Sequence, residues 1–444
     1  MATWSSYLRI ALPVPSALAA MMRTDRVLAA WIRTGRALSL SSGQLAARRA
    51  NMWRKLQPVI ARTPALARYA GRDLAEFPVT DIEDLRADYG AWNSLGMSDE
   101  ELRGLAAAAE QGTAVGELSA GWSTGTGGGA RGLFLASPAE RADYIGQSLA
   151  RLLPARAWLK RQRLALHLRA SNALYSDVGR GRFTFAHFPL EASIEQSIEE
   201  LAQFEPTILI APPHRLAAFA QAGAHFPSLQ HLFCGSEPAG EAECHFFTER
   251  LGVRPRQIYQ ATEGFLAAEC ANGRLHLNDH ALAIELEPVP GTPGYRPIIT
   301  DLRRTSQPIV RIRGDDYLEL DACPCPCGFA GRVIHAPQGR VNDIWRFEGR
   351  TVTPPLVVAA LEAVLGGDNI WQAEAGPERV VLHLSSRYPA AISTTISASI
   401  STTSATTAAR ALSQACDLPV PVEVVHDLSA WSGPKRRKVV WRDG

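Results

Sequence analysis

Between Gly121 and Ser137 the chain reads GWSTGTGGGARGLFLAS, in which glycines and small hydroxyl residues surround one cation, Arg131. Glycines let a backbone turn several N–H groups toward one anion, and interspersed hydroxyls add donors, so this composition can wrap a polyphosphate. No Gly-Lys-Ser/Thr ending closes it as in a P-loop, and by composition alone a flexible linker would look the same. Downstream come, in order, CGSEP (Cys234 to Pro238), YQATEG (Tyr259 to Gly264), RIRGDD (Arg311 to Asp316), GRVNDI (Gly339 to Ile344) and GPKRRK (Gly433 to Lys438). Taken singly, these read as a strand-to-helix turn, a strand end, a solvated turn, a connection and a basic tail. The order in which they follow the glycine-rich loop makes them a candidate site. No covalent enzyme nucleophile is expected, and no paired Cys-His motif occurs.

A separate cluster, CPCPCGFAGRVIH, offers Cys323, Cys325, Cys327 and His335 as a Cys₃His zinc set. Alternate cysteines separated by prolines depart from the usual C-x₂-C spacing, and the preferred reading is a rigid turn. Cys234 and Cys270 read as core residues. His167 and His187 read as structural, whereas His214, just after an apolar strand and two prolines, could approach a bound acid.

The elements that must position these groups follow from composition and periodicity. The chain has 444 residues, 46% of them hydrophobic, and a formal charge of only +2, which suits a large core and small-molecule partners rather than nucleic acid. No uncharged run of about 18 residues marks a membrane span, and the odd count of cysteines suits a reducing cytoplasm. The stretch from about 20 to 110 is Ala/Leu/Arg-rich with helical spacing, and FPVTDIEDLRADYGAWN predicts a helix entered from Thr80 or Asp81. From about 120 to 320 the short apolar runs RLALHL, TILIA, LQHLFCG, RQIYQ, RLHLN, PIITDL and PIVRIR alternate with helical patterns, predicting α/β layers. Beyond Gly339 a Pro-started, Gly-stopped helix, TPPLVVAALEAVLGG, is followed by strand-like and helical runs. The low-complexity tract from Ile392 to Ala409 is read as a loop leading into a helix. The expected architecture is α/β: a large multi-layer N-terminal domain over residues 1–338, helical to about 110, and a small mobile α+β domain over 339–444.

In this order the motifs resemble the adenylate-forming superfamily of acyl-CoA synthetases, peptide-synthetase adenylation domains and luciferases. The chain is most similar to the phenylacetate-CoA ligase branch and the deazaflavin-cofactor-adenylating synthetases. The resemblance runs from about Phe77 to the C-terminus. It implies that Ser123, Thr124, Gly125, Thr126 and Gly127 cradle ATP phosphates, with Arg131 in place of the family's usual lysine. It implies further that Tyr259 stacks on adenine, Thr262 touches phosphate and Glu263 holds Mg²⁺. Gly235, Ser236 and Glu237 would line the adenine and the acid pocket. Asp315 would bind the ribose hydroxyls, with Asp316 as its alternative because the spacing differs from the family's. Arg340 would reach ATP, Asn342 and Asp343 would form the hinge, and Lys435, with Lys438 as fallback, would position carboxylate and α-phosphate.

The implied activity is ATP-dependent, Mg²⁺-dependent conversion of a carboxylic acid to its acyl-adenylate and transfer to a phosphopantetheine thiol. An aromatic, hydroxybenzoate-like acid is expected, recognised by Ser171, Asn172, Tyr175, His214 and Gly235. An acyl carrier protein is the preferred acceptor, because Arg436, Arg437, Lys438 and Arg442 put cations near the C-terminus. The alternatives are an aryl-CoA ligase using free CoA, and a nucleotide-binding regulatory protein, which would need no C-terminal lysine.

Overall fold

The computed structural model describes residues 17–111, 117–123, 131–168, 182–385, 402–426 and 437–442. The chain begins with helices α1 (Ala17–Ala37) and α2 (Ser42–Ile60), and α2 starts at a capping box in which Ser41 and Gln44 satisfy each other's backbone N–H groups. A short strand β1 (Thr80–Asp81) leads into α3 (Ile82–Ala87), and α4 (Asp99–Glu110) follows. Asp81 is the N-cap residue of α3 by position, but its carboxylate accepts from Arg313 at 2.8 Å and makes no side-chain capping bond. The predicted helix start therefore holds while the predicted cap chemistry is spent on an ion pair.

The strands β2 (Ser119–Trp122) and β3 (Leu133–Ala136) pair antiparallel, and residues 124–130 of the glycine-rich stretch between them in sequence lie outside the described residues. Next come α5 (Pro138–Leu152), β4 (Gln162–Leu168), β5 (Phe183–Pro189), α6 (Ile194–Phe204), β6 (Ile208–Ala211), α7 (Pro213–Gln221), β7 (His231–Cys234), α8 (Glu241–Leu251) and β8 (Pro255–Ala261). With β9 (Gly264–Glu269), β10 (Leu275–Leu277) and β14 (Val333–Ile334) they build an eight-stranded sheet, ordered β14-β10-β9-β8-β7-β6-β4-β5. The strands from β5 to β8 in that order are parallel, and the remainder antiparallel. A second sheet joins β1, β11 (Leu282–Pro288), β12 (Tyr295–Asp301) and β13 (Ile309–Arg313).

Strand periodicity explains the layering. Leu209, Ala211, Leu232 and Cys234 point into a core with α6, α7 and α8, while Ile208, Ile210 and Phe233 join Ile145, Leu149 and Leu152 of α5 on the opposite face. Successive side chains of a strand alternate between faces, so continuous apolar runs such as ILIA become strands buried on both sides. The helical reading of EASIEQSIEELAQF and HRLAAFAQAG corresponds to α6 and α7. The edge strand β5 and the hairpin around the loop carry weaker alternation and were not anticipated.

After β15 (Trp345–Phe347) and β16 (Arg350–Val352), α9 (Pro354–Leu365) begins with prolines in its first turn and stops at Gly366, whose φ is 69°. It packs with α10 (Thr402–Cys416) on a sheet ordered β19-β18-β17-β20, built from β17 (Ile370–Ala375), β18 (Val380–Ser385), β19 (Val422–Val425) and β20 (Val439–Trp441). Trp345, Leu361, Trp371, Leu382 and Leu412 give this part a core of its own. The helix expected after the low-complexity tract starts earlier than expected, at Thr402 within the tract itself, so residues 402–409 are helical rather than a loop, and residues 392–401 lie outside the described segments.

The N-terminal helix is fastened by close approach. A Cβ placed on Gly146 of α5 would lie 2.4 Å from the Val27 carbonyl oxygen and 2.6 Å from the Ala30 Cβ of α1. Gly146→Ala should therefore force the helices apart and destabilise the protein by about 1–3 kcal/mol. Urea unfolding checks this, and an unchanged midpoint would mean that α1 does not sit against α5.

Candidate active site

Both faces of the parallel strands are covered, which leaves their carboxyl ends as the place where loops can host a ligand. There β6 runs into Pro212, Pro213 and His214, β7 into Gly235, Ser236 and Glu237, and β8 into Thr262 and Glu263. The Gly235 amide donates to the Ala211 carbonyl at 3.0 Å, holding two of these turns side by side. Ser236 has a φ of 69°, an unfavourable value for a residue with a Cβ, of the kind found where a site dictates backbone geometry. Glu237 turns toward His214, with Oε2 3.7 Å from Nδ1 and both side chains largely buried. The other two singled-out histidines are structural. His167 receives a bond from Arg215 Nε at 2.7 Å, and burial, with Arg215 beside it, pushes its pKa down to about 3. His187 meets the Leu168 carbonyl at 3.0 Å.

YQATEG is the β8–β9 hairpin. Tyr259 donates its hydroxyl to Asp316 Oδ2 at 2.7 Å, and its phenol lies within the fields of Asp316, Glu263 and Arg340. Asp316 pairs with the backbone of Arg340, which draws RIRGDD and GRVNDI together. Asp315 instead accepts from Arg296 at 2.9 Å. Of the two acids considered for the ribose, it is thus Asp316 that faces Tyr259.

Thr262 abuts the neck of the glycine-rich loop, since a Cβ on Gly132 would stand 3.0 Å from its Oγ1. The neck itself is closed at Ser123, which donates its amide to the Gly132 carbonyl at 2.6 Å and accepts the Gly132 amide on Oγ at 2.9 Å. Arg131 is committed elsewhere: its Nε donates to the Ser123 carbonyl at 2.8 Å and its Nη1 pairs with Glu110 at 2.5 Å. A phosphate at the loop would have to compete with Glu110 for this cation. Arg304, which the sequence reading did not single out, donates to the Thr262 carbonyl at 2.6 Å and also bonds Gln307. Gln307 in turn donates to Leu133 of β3 at 3.1 Å, so these two residues brace the loop hairpin against the Thr-Glu turn.

Glu263 is buried, and burial lifts its carboxyl pKa above the usual range, with Asp316 adding to the rise and Arg86 and Arg304 opposing it. A carboxylate held in this way is suited to a divalent cation, which would restore the ionised form.

The hinge candidates differ in setting. Asn342 is exposed, whereas Asp343 is buried, accepts the Arg340 amide at 3.2 Å and pairs with Arg437. Lys438, the fallback for the catalytic lysine, is sequestered between Glu243 of α8 at 2.7 Å and Glu362 of α9 at 3.1 Å. Burial alone would lower its pKa, but the two carboxylates outweigh it and leave it raised. Lys435, Thr124 to Gly127, Ser171, Asn172 and Tyr175 lie outside the described residues. The zinc set is corrected: His335 is exposed and Cys323 stands apart, while Cys325 and Cys327 gather with Cys270 and His276. Cys270 is buried as expected of a core residue. The linear run suggested His335 as fourth ligand, but strand pairing brings His276 there instead.

The raised pKa of Glu263 has a checkable sign. A carboxyl whose folded pKa exceeds its unfolded value destabilises the fold once pH passes the unfolded pKa, because the buried group must then ionise. Glu263→Gln should therefore melt higher than the parent at neutral pH without ligand, the gain shrinking as pH falls through the carboxylate range. A variant less stable at every pH would refute the burial argument.

No protein-family model matches the chain, and no curated protein sequence matches it. Among solved structures, 2-hydroxyisobutyryl-CoA ligase in the postadenylation state with 2-HIB-AMP superposes with a TM-score of 0.66, covering 92% of this chain and 91% of that one at 18% identity. The same ligase with R3-HIB-AMP gives 0.59 over 97% and 94% at 17% identity. Identity this low speaks for architecture, not chemistry. The chain has the mixed α/β fold of that CoA ligase.

Proposed function

We propose that the protein is an adenylate-forming acid–thiol ligase. The observation that carries this reading is the convergence of Tyr259, Thr262, Glu263, Asp316, Arg340 and the neck of the glycine-rich loop at the carboxyl end of one sheet, from segments far apart in sequence. An acid oxygen would attack the α-phosphorus of ATP as the bond to pyrophosphate breaks. A thiol would then attack the adenylate carbonyl and release AMP. Positioning and charge neutralisation dominate such a displacement. Tyr259 would pack on adenine, Asp316 would accept from the ribose hydroxyls, and Thr262 with the loop amides would hold phosphate. Glu263 would hold Mg²⁺, which supplies neutralising charge at the phosphates, and Lys435 would bridge carboxylate and α-phosphate. Residues 339–444 would be the smaller domain, pivoting at Asn342 and Asp343.

The acid is proposed to be aromatic and hydroxyl-bearing. Among the described residues the buried His214 Nδ1 has no hydrogen-bond partner, Glu237 Oε2 standing 3.7 Å away, and a site with such a group rejects a substrate that leaves it unpaired. The similar solved ligase is named for a hydroxy acid too, although an aliphatic one. For the thiol, an acyl carrier protein and free CoA are both proposed. Of the cations invoked for carrier docking, Arg437 pairs with Asp343, Lys438 with two glutamates and Arg442 with Glu374 at 3.1 Å, while Arg436 lies outside the described residues.

Pyrophosphate release measured across aromatic and aliphatic hydroxy acids, with ATP and Mg²⁺, tests the proposal. Thr262→Ala and Glu263→Gln should each lose on the order of 10²-fold or more. Lys435→Ala should abolish adenylation yet spare thioester formation from a synthetic acyl-adenylate. Glu263→Gln at parental rate would remove the metal role, and no acid-dependent release from any acid would remove the ligase reading. Equal CoA and acidic holo-carrier protein, followed by intact mass, decide the acceptor.

A further inference from the structure

The hairpin β9–β10 turns through Ala271, Asn272 and Gly273, with the Cys270 amide donating to the Arg274 carbonyl at 2.9 Å. Its register sets His276 opposite Ala268, so Cys270 and His276 share one face of the ribbon. The chain returns along β14, which pairs with β10, and the Cys-Pro-Cys-Pro-Cys segment folds over that same face. The ligand atoms of Cys270, His276, Cys325 and Cys327 lie within 4.8 Å of one another. The Cys270 and Cys325 sulfurs are 3.6 Å apart, and Cys327 Sγ is 3.4 Å from His276 Nε2. Donors around one tetrahedral zinc, at ordinary Zn–S and Zn–N lengths, are separated by about 3.5–3.8 Å.

The surroundings point the same way. His276 Nδ1 lies 2.8 Å from the Gly331 carbonyl, an oxygen that can only accept. Nδ1 must therefore carry the proton, which leaves the Nε2 lone pair aimed at the sulfurs, the arrangement that orients a metal-binding histidine. Close by, Arg151 is a buried cation with no paired carboxylate among the described residues, held by the carbonyls of Ala268 at 2.9 Å and His276 at 3.3 Å. Three thiolates on a dication leave one negative charge, which answers a cation that would otherwise be buried alone. The exposed cysteine segment leaves a path for the ion to enter.

We propose that Cys270, His276, Cys325 and Cys327 form a closed structural zinc site that staples the β9–β10 hairpin to the segment before β14. With four protein ligands it has no open position for chemistry. Its role is to hold one end of β9, whose other end follows Glu263.

Elemental analysis of the full chain purified under reducing conditions tests the proposal, independently of any ligase activity. One zinc per chain is expected. Exchange of that zinc for Co²⁺ should give the thiolate charge-transfer and visible bands of a tetrahedral sulfur-rich site. Cys327→Ser should lose most of the metal, whereas Cys323→Ser and His335→Ala, which lie outside the set, should keep it. If the ligand variant does not fold, the parent's zinc content and Co²⁺ spectrum still decide. A parent that carries no zinc and takes up no Co²⁺, a Cys270–Cys325 disulfide in the reduced preparation, or zinc that depends on Cys323 or His335 would overturn it.

Discussion

The central sheet is buried on both faces, and this constraint orders the molecule. Because β4, β6 and β7 present apolar side chains alternately to α5 on one side and to α6, α7 and α8 on the other, no polar group of these strands can serve a ligand without breaching a core. Polar chemistry is thereby displaced to the strand ends. His214, Glu237 and Glu263 sit on the few residues just past three consecutive parallel strands. Even there it is squeezed, as the strained Ser236 and the buried Glu263 carboxyl show.

The second constraint is tethering. A glycine-rich loop has little structure of its own to set its position. Here its neck is pinned by Ser123, by Tyr89, whose hydroxyl accepts the Leu133 amide at 2.9 Å, and by Gln307. The braces are polar and reach across the sheet to the Thr262 turn, so the loop base and the acidic turn form one framework.

Local signals were readable in the chain and distant ones were not. Continuous apolar runs named β4, β6, β7, β8 and α6, α7 and α9, because burial on one or two faces imposes periodicity on the residues themselves. Which of Asp315 and Asp316 faces Tyr259 depends on a partner 57 residues away, which no local pattern shows. The cysteine cluster misled for the same reason: proximity in sequence favoured His335, whereas β9–β10 register supplies Cys270 and His276. Lys438 read as the fallback for the catalytic lysine, yet it lies under two glutamates from separate helices, a pairing no local pattern encodes.

That lysine bridge has an asymmetry in what each partner keeps when the bridge parts. Glu243 also accepts the Gly240 amide at 2.9 Å, and Glu362 accepts the Ala242 amide at 3.4 Å, both at the N-terminus of α8. There the helix offers partial positive charge to either acid. Any rearrangement that draws β20 away from α8 would give the ammonium to water but leave two carboxylates facing each other, with one backbone amide each and only the partial charge of the helix between them. The contact therefore works as a clasp that favours the closed arrangement of β20 against α8, because the acids need the cation more than the cation needs the acids.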